Sequence, residues 1–268
     1  MVTRKKTEAV TPPALIERVL KAAGDQVVLV GGQALAFWVR RYNLALPAGV
    51  ATVSADMDFL ARSPGDMDTV KRFARAIHGH VLVPNRRALT ALVGQVVLDV
   101  SDDEYINIDV IHDLIGIEPD AVRKRAVRVE QGDTVYRVMH PLDVLHSRVA
   151  NLHKILDKAE RLQEKRRMQL ALGIDVAREF QRAVAAEAPA RALATGRSPI
   201  QHYVSMIERL AVEDAGRKVA ARHGLHVADA IDPLFIPAGP FWELRWPTLK
   251  ALMSTKYAAQ FKAPPKTK

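Results

Sequence analysis

QVVLVGGQALAFWVRRY, residues 26–42, begins with a β-branched run at 26–30, meets the glycine pair Gly31 and Gly32, and continues over 33–42 as a helix-forming pattern. The spacing predicts a strand, a glycine turn and a helix. A Pro/Gly-containing loop over 43–54 leads to SADMDFLA, residues 54–61, where a second strand is expected over 56–61. Alternate residues of a strand share a face, so Asp56 and Asp58 project side by side while Met57 and Phe59 turn to the core. In YINIDVIH, residues 105–112, Asp109 alternates against Ile106, Ile108 and Val110 and reaches the same polar face. Asp99, in VVLDV, is its rival for that role.

Outward from this centre, Thr11 is read as a helix cap and Pro12 as the first helical position, with Ile16, Val19, Leu20 and Ala23 on one face and Gly24 as the stop. Ser63 and Pro64 are read as the start of another helix carrying Val70, Phe73, Ala74 and Ile77, ended by Gly79. Asp66-Met-Asp68 repeats the DxD spacing, but in a first helical turn, where acids simply favour the macrodipole. Strands are expected over 80–84, 92–100 and 134–139, with a solvated acidic turn at Asp102, Asp103 and Glu104. From Pro141 the pattern is helical. The expected organisation is a flexible basic arm (1–10), a mixed-sheet α/β domain (11–140), an α-helical domain (141–230) and a Pro/Trp-containing tail (231–268) in which Trp242 and Trp246 anchor packing.

Composition excludes several classes. In 268 residues there are 39 Lys+Arg against 30 Asp+Glu, a net charge of +9, and 49% of the chain is hydrophobic, which is too apolar for a disordered tail. With no cysteine, thiol nucleophiles, thiolate zinc sites and disulfides are unavailable. No apolar run reaches membrane-spanning length, so the expectation is a cytoplasmic protein without a membrane partner. The positive charge, including Arg40, Arg41, the run at 123–128 and the run at 165–167, favours an RNA acceptor.

Two adjacent carboxylates repel unless a cation holds them. Asp56, Asp58 and Asp109 offer hard oxygen donors that suit Mg²⁺. A glycine pair opening a helix suits a triphosphate, because the backbone approaches closely and the free N–H groups favour anions.

Together these residues resemble the nucleotidyltransferases of the DNA polymerase beta superfamily, whose pattern is a hydrophobic residue followed by G[GS], a DxD pair and a third Asp on a neighbouring strand. The wording LVGGQALAF…SADMDFL is similar to the AbiEii-toxin-like group, in which a Ser or Thr stands just before the DxD pair, as Ser54 does here. The resemblance is clear over about 26–116 and fainter through the helix after His140. The spacer from Gly32 to Asp56 is longer than in compact members. The resemblance implies an α/β nucleotidyltransferase fold, two Mg²⁺ held by Asp56, Asp58 and Asp109 as catalytic residues, and nucleotide contacts from Gly31, Gly32 and Ser54. Arg148, Lys154 and Lys158 become candidates for phosphate contact. The implied reaction moves a nucleoside monophosphate from an NTP to a hydroxyl of RNA, such as tRNA, or of protein, in the toxin of a toxin–antitoxin or phage-defence pair with a cognate antitoxin. The alternatives are a small-molecule transferase of the aminoglycoside type and a catalytically silent module that binds nucleic acid or a partner.

Overall fold

The structure is a computed structural model and describes residues 6–50, 53–85, 89–155, 159–195, 199–236 and 240–261. In chain order it contains β1 (Thr7–Glu8), α1 (Pro13–Ala23), β2 (Val28–Val30), α2 (Gly31–Arg41), β3 (Met57–Leu60), α3 (Met67–Ile77), β4 (His80–Leu82), β5 (Leu92–Asp99), β6 (Glu104–Ile111), α4 (Pro119–Arg125), β7 (Val127–Gln131) and β8 (Thr134–Val138). Helices α5 (Pro141–Lys154), α6 (Glu160–Thr195), α7 (Pro199–Val212), α8 (Asp214–His223), α9 (Pro240–Leu244), α10 (Trp246–Leu252) and α11 (Thr255–Ala258) follow. The architecture is mixed α/β, with an open mixed sheet and about eleven α-helices, including a C-terminal helical region. No helix among the described residues is long and apolar enough to cross a membrane.

Chain contacts divide the molecule into two units, Met1–Arg41 with Ala45–Val144, and Tyr42–Leu44 with Leu145–Lys268. The first holds the sheet, in the order β4-β5-β6-β3-β2-β8-β7, with β1 parallel to the start of β6. Strand β3 runs antiparallel to β2 and parallel to β6. Met57, Phe59, Ile108 and Val110 are fully buried along one face of these strands, and Phe73 of α3 packs on Phe59 with ring centroids 4.6 Å apart. The alternation that turns the acids outward therefore also builds the core.

Several boundaries differ from expectation. Residues 7 and 8 of the expected basic arm form β1, where Thr7 donates its N–H to the Asp103 carbonyl at 2.7 Å. Pro12, not Thr11, caps α1; Thr11 instead donates its hydroxyl to the Ala55 carbonyl at 2.8 Å. Helix α3 begins at Met67 rather than after Ser63, because Asp66 is its cap. His78 takes the left-handed position that ends α3, with φ of 57°. Gly79 answers a different need, since a Cβ there would stand 2.8 Å from Val96 Cγ1 and 2.9 Å from the Val97 carbonyl oxygen. The run at 123–128 is helix α4 entering β7, and its arginines serve structure. Arg123 donates to the Ala61 carbonyl at 2.7 Å and Arg125 grips the buried Asp143 at 2.5–3.2 Å. Arg128 pairs with Glu130.

In the second unit the expected C-terminal tail is built into the helical core. Gln181 on α6 is fully buried and exchanges two hydrogen bonds with the Asp232 backbone, at 2.9 and 3.2 Å. Arg182 pairs with the buried Asp232 carboxylate at 2.7 Å, and Arg178 donates to the Asp229 carbonyl at 2.6 and 2.8 Å. Trp242 and Trp246 are both buried, with ring centroids 5.4 Å apart.

Asp66 supplies a stability test. Its carboxylate accepts from the Thr69 N–H and hydroxyl, at 3.4 and 3.0 Å, and from Arg62 Nε and a terminal guanidinium nitrogen, at 3.1 and 3.0 Å. Burial pushes its pKa up, but the hydrogen bonds from Arg62 and Thr69 and the Arg62 charge prevail and hold it at about 2. Asp66→Ala is expected to lower the melting temperature near neutral pH, with a loss of about 1–2 kcal/mol. A depressed carboxylate pKa stabilises above the unfolded value and loses that contribution as pH falls through the folded one. The gap between native and variant should thus narrow between pH 3.8 and about 2, as followed by thermal melts across that range.

Candidate active site

The glycine pair lies where β2 becomes α2. Pairing of β2 with β3 sets Val30 opposite Asp58, so the first residue past β2 runs beside that carboxylate. Gly31 has φ of +63°, and a Cβ built on it would stand 1.8 Å from Asp58 Oδ2 and 2.9 Å from Asp58 Cβ. Left-handed backbone and the space held by Asp58 each demand glycine here. Gly32 follows, buried in the first turn of α2.

On its other flank Asp58 faces a second acid. The parallel register of β3 and β6 places Asp58 level with Asp109, and the antiparallel register of β5 and β6 places Gln95 level with Asp109. Cross-strand neighbours project to the same face, so Gln95, Asp109 and Asp58 form a polar row opposite the apolar face of Met57 and Phe59. Gln95 Nε2 and Asn107 Nδ2 both donate to Asp109 Oδ1, at 2.8 and 2.9 Å. Burial raises the Asp109 pKa above the ordinary carboxylate value; the two amide donors oppose that rise and the charge of Asp56 adds to it. Among the described residues no cation is among the groups that shift it.

Asp56 stands just before β3. Its Oδ1 accepts from Ser54 Oγ at 2.5 Å, while the carbonyl of the buried Ser54 accepts from Gln33 Nε2 at 3.0 Å. Helix α2 therefore aims Asp56 through Ser54, and Ser54 enters the site as a holder of that acid.

Gly31, Gly32, Ser54, Asp56, Asp58 and Asp109 thus come together at one end of the first unit's sheet. Their donors are all oxygen, the kind that Mg²⁺ takes. Among the described residues, however, no three acidic or histidine side chains are gathered closely enough to hold a metal ion as they stand. Like charges explain this arrangement: Asp56 is tied to Ser54, and Asp109 turns one oxygen toward two amides. Asp99 lies outside the group, opposite Tyr105, and pairs with Lys6 at 2.7 Å.

The basic candidates belong to the second unit. Arg148 is buried and donates to Gln169 Oε1 at 3.0 Å and Ser147 Oγ at 3.2 Å. Lys154 is exposed at the last position of α5, and Lys158 lies outside the described residues. Sequence reasoning assigned no role to Gln33, Asn107 or Gln95. Asn107 shares the period of Asp109 and was open to detection, whereas Gln95 required the β5–β6 register.

Neither the protein-family models nor the curated proteins compared with the chain contain a match. The chemistry of the site therefore rests on its own residues.

Two tests address this geometry. Gly31→Ala is expected to cost about 2–5 kcal/mol, combining left-handed strain with overlap on Asp58. In an Asp58→Gly background the added cost should drop to about 1–2 kcal/mol, the backbone part alone, as measured by a double-mutant cycle in urea. A carboxylate whose folded pKa is raised destabilises once ionised, so its favourable contribution is present at low pH and lost as pH rises through the folded value. Asp109→Asn should accordingly raise the melting temperature near neutral pH. That advantage should fade as pH falls from above the ordinary carboxylate value of 3.8 toward it.

Proposed function

We propose that the chain is a Mg²⁺-dependent nucleotidyltransferase of the DNA polymerase beta superfamily, of AbiEii-like type. The observation that carries this reading is the register of three strands: β2 delivers Gly31 against Asp58, and β6 sets Asp109 level with Asp58. A glycine pair opening a helix beside acids on neighbouring strands of a mixed sheet is what that fold requires. Asp56, Asp58 and Asp109 would hold the metal, which when bound stabilises the attacking and leaving oxygens of an in-line displacement. The acceptor oxygen bonds to the α-phosphorus, the bond to pyrophosphate breaks, and the hydroxyl proton goes to Asp109. Asp109 Oδ2 suits that task because Oδ1 is already engaged by Gln95 and Asn107. Gly31 makes room for the Asp58 carboxylate, and the N–H groups of the first turn of α2, which lack helical partners, would face the phosphates. RNA or protein as acceptor, and a toxin's role beside an antitoxin, follow from the sequence resemblance.

The net charge of +9 favours a second reading, a catalytically silent module that binds nucleic acid or a partner. One experiment separates the two. The native chain and Asp56→Ala are incubated with each α-³²P-labelled NTP, Mg²⁺ and total cellular RNA and protein. Label should enter one fraction with one NTP and fall to background in the variant. Absence of label from folded protein overturns transfer to RNA or protein, leaving a small-molecule transferase if NTP and Mg²⁺ still bind together and the silent module if they do not. The silent module would instead retain nucleic acid, weaken steeply with salt and ignore Asp56→Ala.

A further inference from the structure

On the side of the sheet away from the carboxylates lies a cavity of about 710 Å³, entirely within the first unit. Its floor is apolar, formed by Leu20 of α1, Leu29 of β2, Phe37 of α2 and Met57 of β3. Leu29 and Met57 belong to the face opposite Asp58, so this is a separate space from the acidic edge. Its rim is polar and cationic: Arg40 and Arg41 end α2, and among the described residues Glu17 is the only acid in the lining. Neither arginine makes an ion pair among the described residues, and both are exposed.

The two guanidinium groups also act on the wall. Tyr136, whose hydroxyl donates to Gln131 Oε1 at 3.1 Å, has its pKa raised by burial and partly pulled back by Arg40 and Arg41. The size falls within the range of small-molecule sites, which combine an apolar lining with a few convergent polar groups. An apolar floor of this extent excludes a bare inorganic anion as the best occupant, and the surplus of positive charge at the rim disfavours a cationic one.

We propose that this cavity binds a small amphipathic anion, its rigid apolar body against Leu29, Phe37 and Met57 and its single anionic group at Arg40 and Arg41. Gln33 joins the cavity to the acidic edge, since it lines the wall and also holds Ser54, which holds Asp56. An occupant is thus placed to influence the aim of Asp56 from the reverse face. Binding itself is independent of the transferase reading, so either can fail alone.

The test uses the full chain and 8-anilinonaphthalene-1-sulfonate, an aromatic body carrying one sulfonate. Fluorescence titration should show one saturable site. The double variant Arg40→Ala/Arg41→Ala should weaken it about tenfold or more, the scale of a lost charge-assisted hydrogen bond. N-phenyl-1-naphthylamine, the same rings without the sulfonate, should bind native and double variant alike. Ala14→Trp, at an exposed lining position, should block both dyes in a chain whose circular dichroism and melting temperature are unchanged. Independently of any variant's folding, methionine-methyl spectra of the native chain locate the dye: of seven methionines, Met57, assigned through Met57→Leu, should shift in step with fluorescence. Multiple unsaturable sites, affinity indifferent to the arginines, or an unmoved Met57 methyl would each overturn the proposal.

Discussion

Asp58 sits between a glycine backbone and another carboxylate, and it stays there because β3 is clamped between β2 and β6 in a single register. Met57 and Phe59, both fully buried, provide the clamp from the opposite face. A slip of one residue would exchange them with the acids, burying charge and exposing the core. The same contacts that stabilise the sheet therefore bring the acids level with one another. Gly31 is a consequence of that placement, as is the turn that starts α2.

Asp66 and Asp109 differ in energy although both stand in acid-bearing motifs of the sequence. Asp66 caps a helix, meets Arg62 and Thr69, and is held as a stabilising carboxylate. Asp109 lies half-buried beside the charge of Asp56, with two amides as its hydrogen-bond donors. Gln95 and Asn107 offset part of that cost, because their amides donate to the carboxylate. An incoming cation would relieve what remains, which is the physical basis for proposing this edge as a site while Asp66 serves structure.

The net positive charge is not evenly free to act. Arg123, Arg125, Arg178 and Arg182 are engaged with carbonyls and carboxylates within their own units. Among the described residues Arg40 and Arg41 make no such pairs, which sets the rim of the cavity apart from the basic runs that looked similar in sequence. Charge counted along the chain overstates the surface available to phosphate, because a guanidinium buried along its stem serves as readily to tie loops to helices.

Residue spacing alone determined the strand, glycine pair and helix within 26–42, the outward alternation of Asp58 and Asp109, and the buried stripe of α3, since these depend on periods of 2 and 3.6 within one segment, whereas Asp56 lies in a bend before β3. Pairing decided the rest. That Asp109 and not Asp99 faces Asp58, that Gln95 joins it, and that residues 7 and 8 extend the sheet all follow from registers between segments far apart in sequence. Tertiary contacts likewise drew the C-terminal segment onto Gln181 and Arg182 of α6. Local periodicity specifies which way a side chain points, but only the closing of one strand or helix on another specifies what it meets.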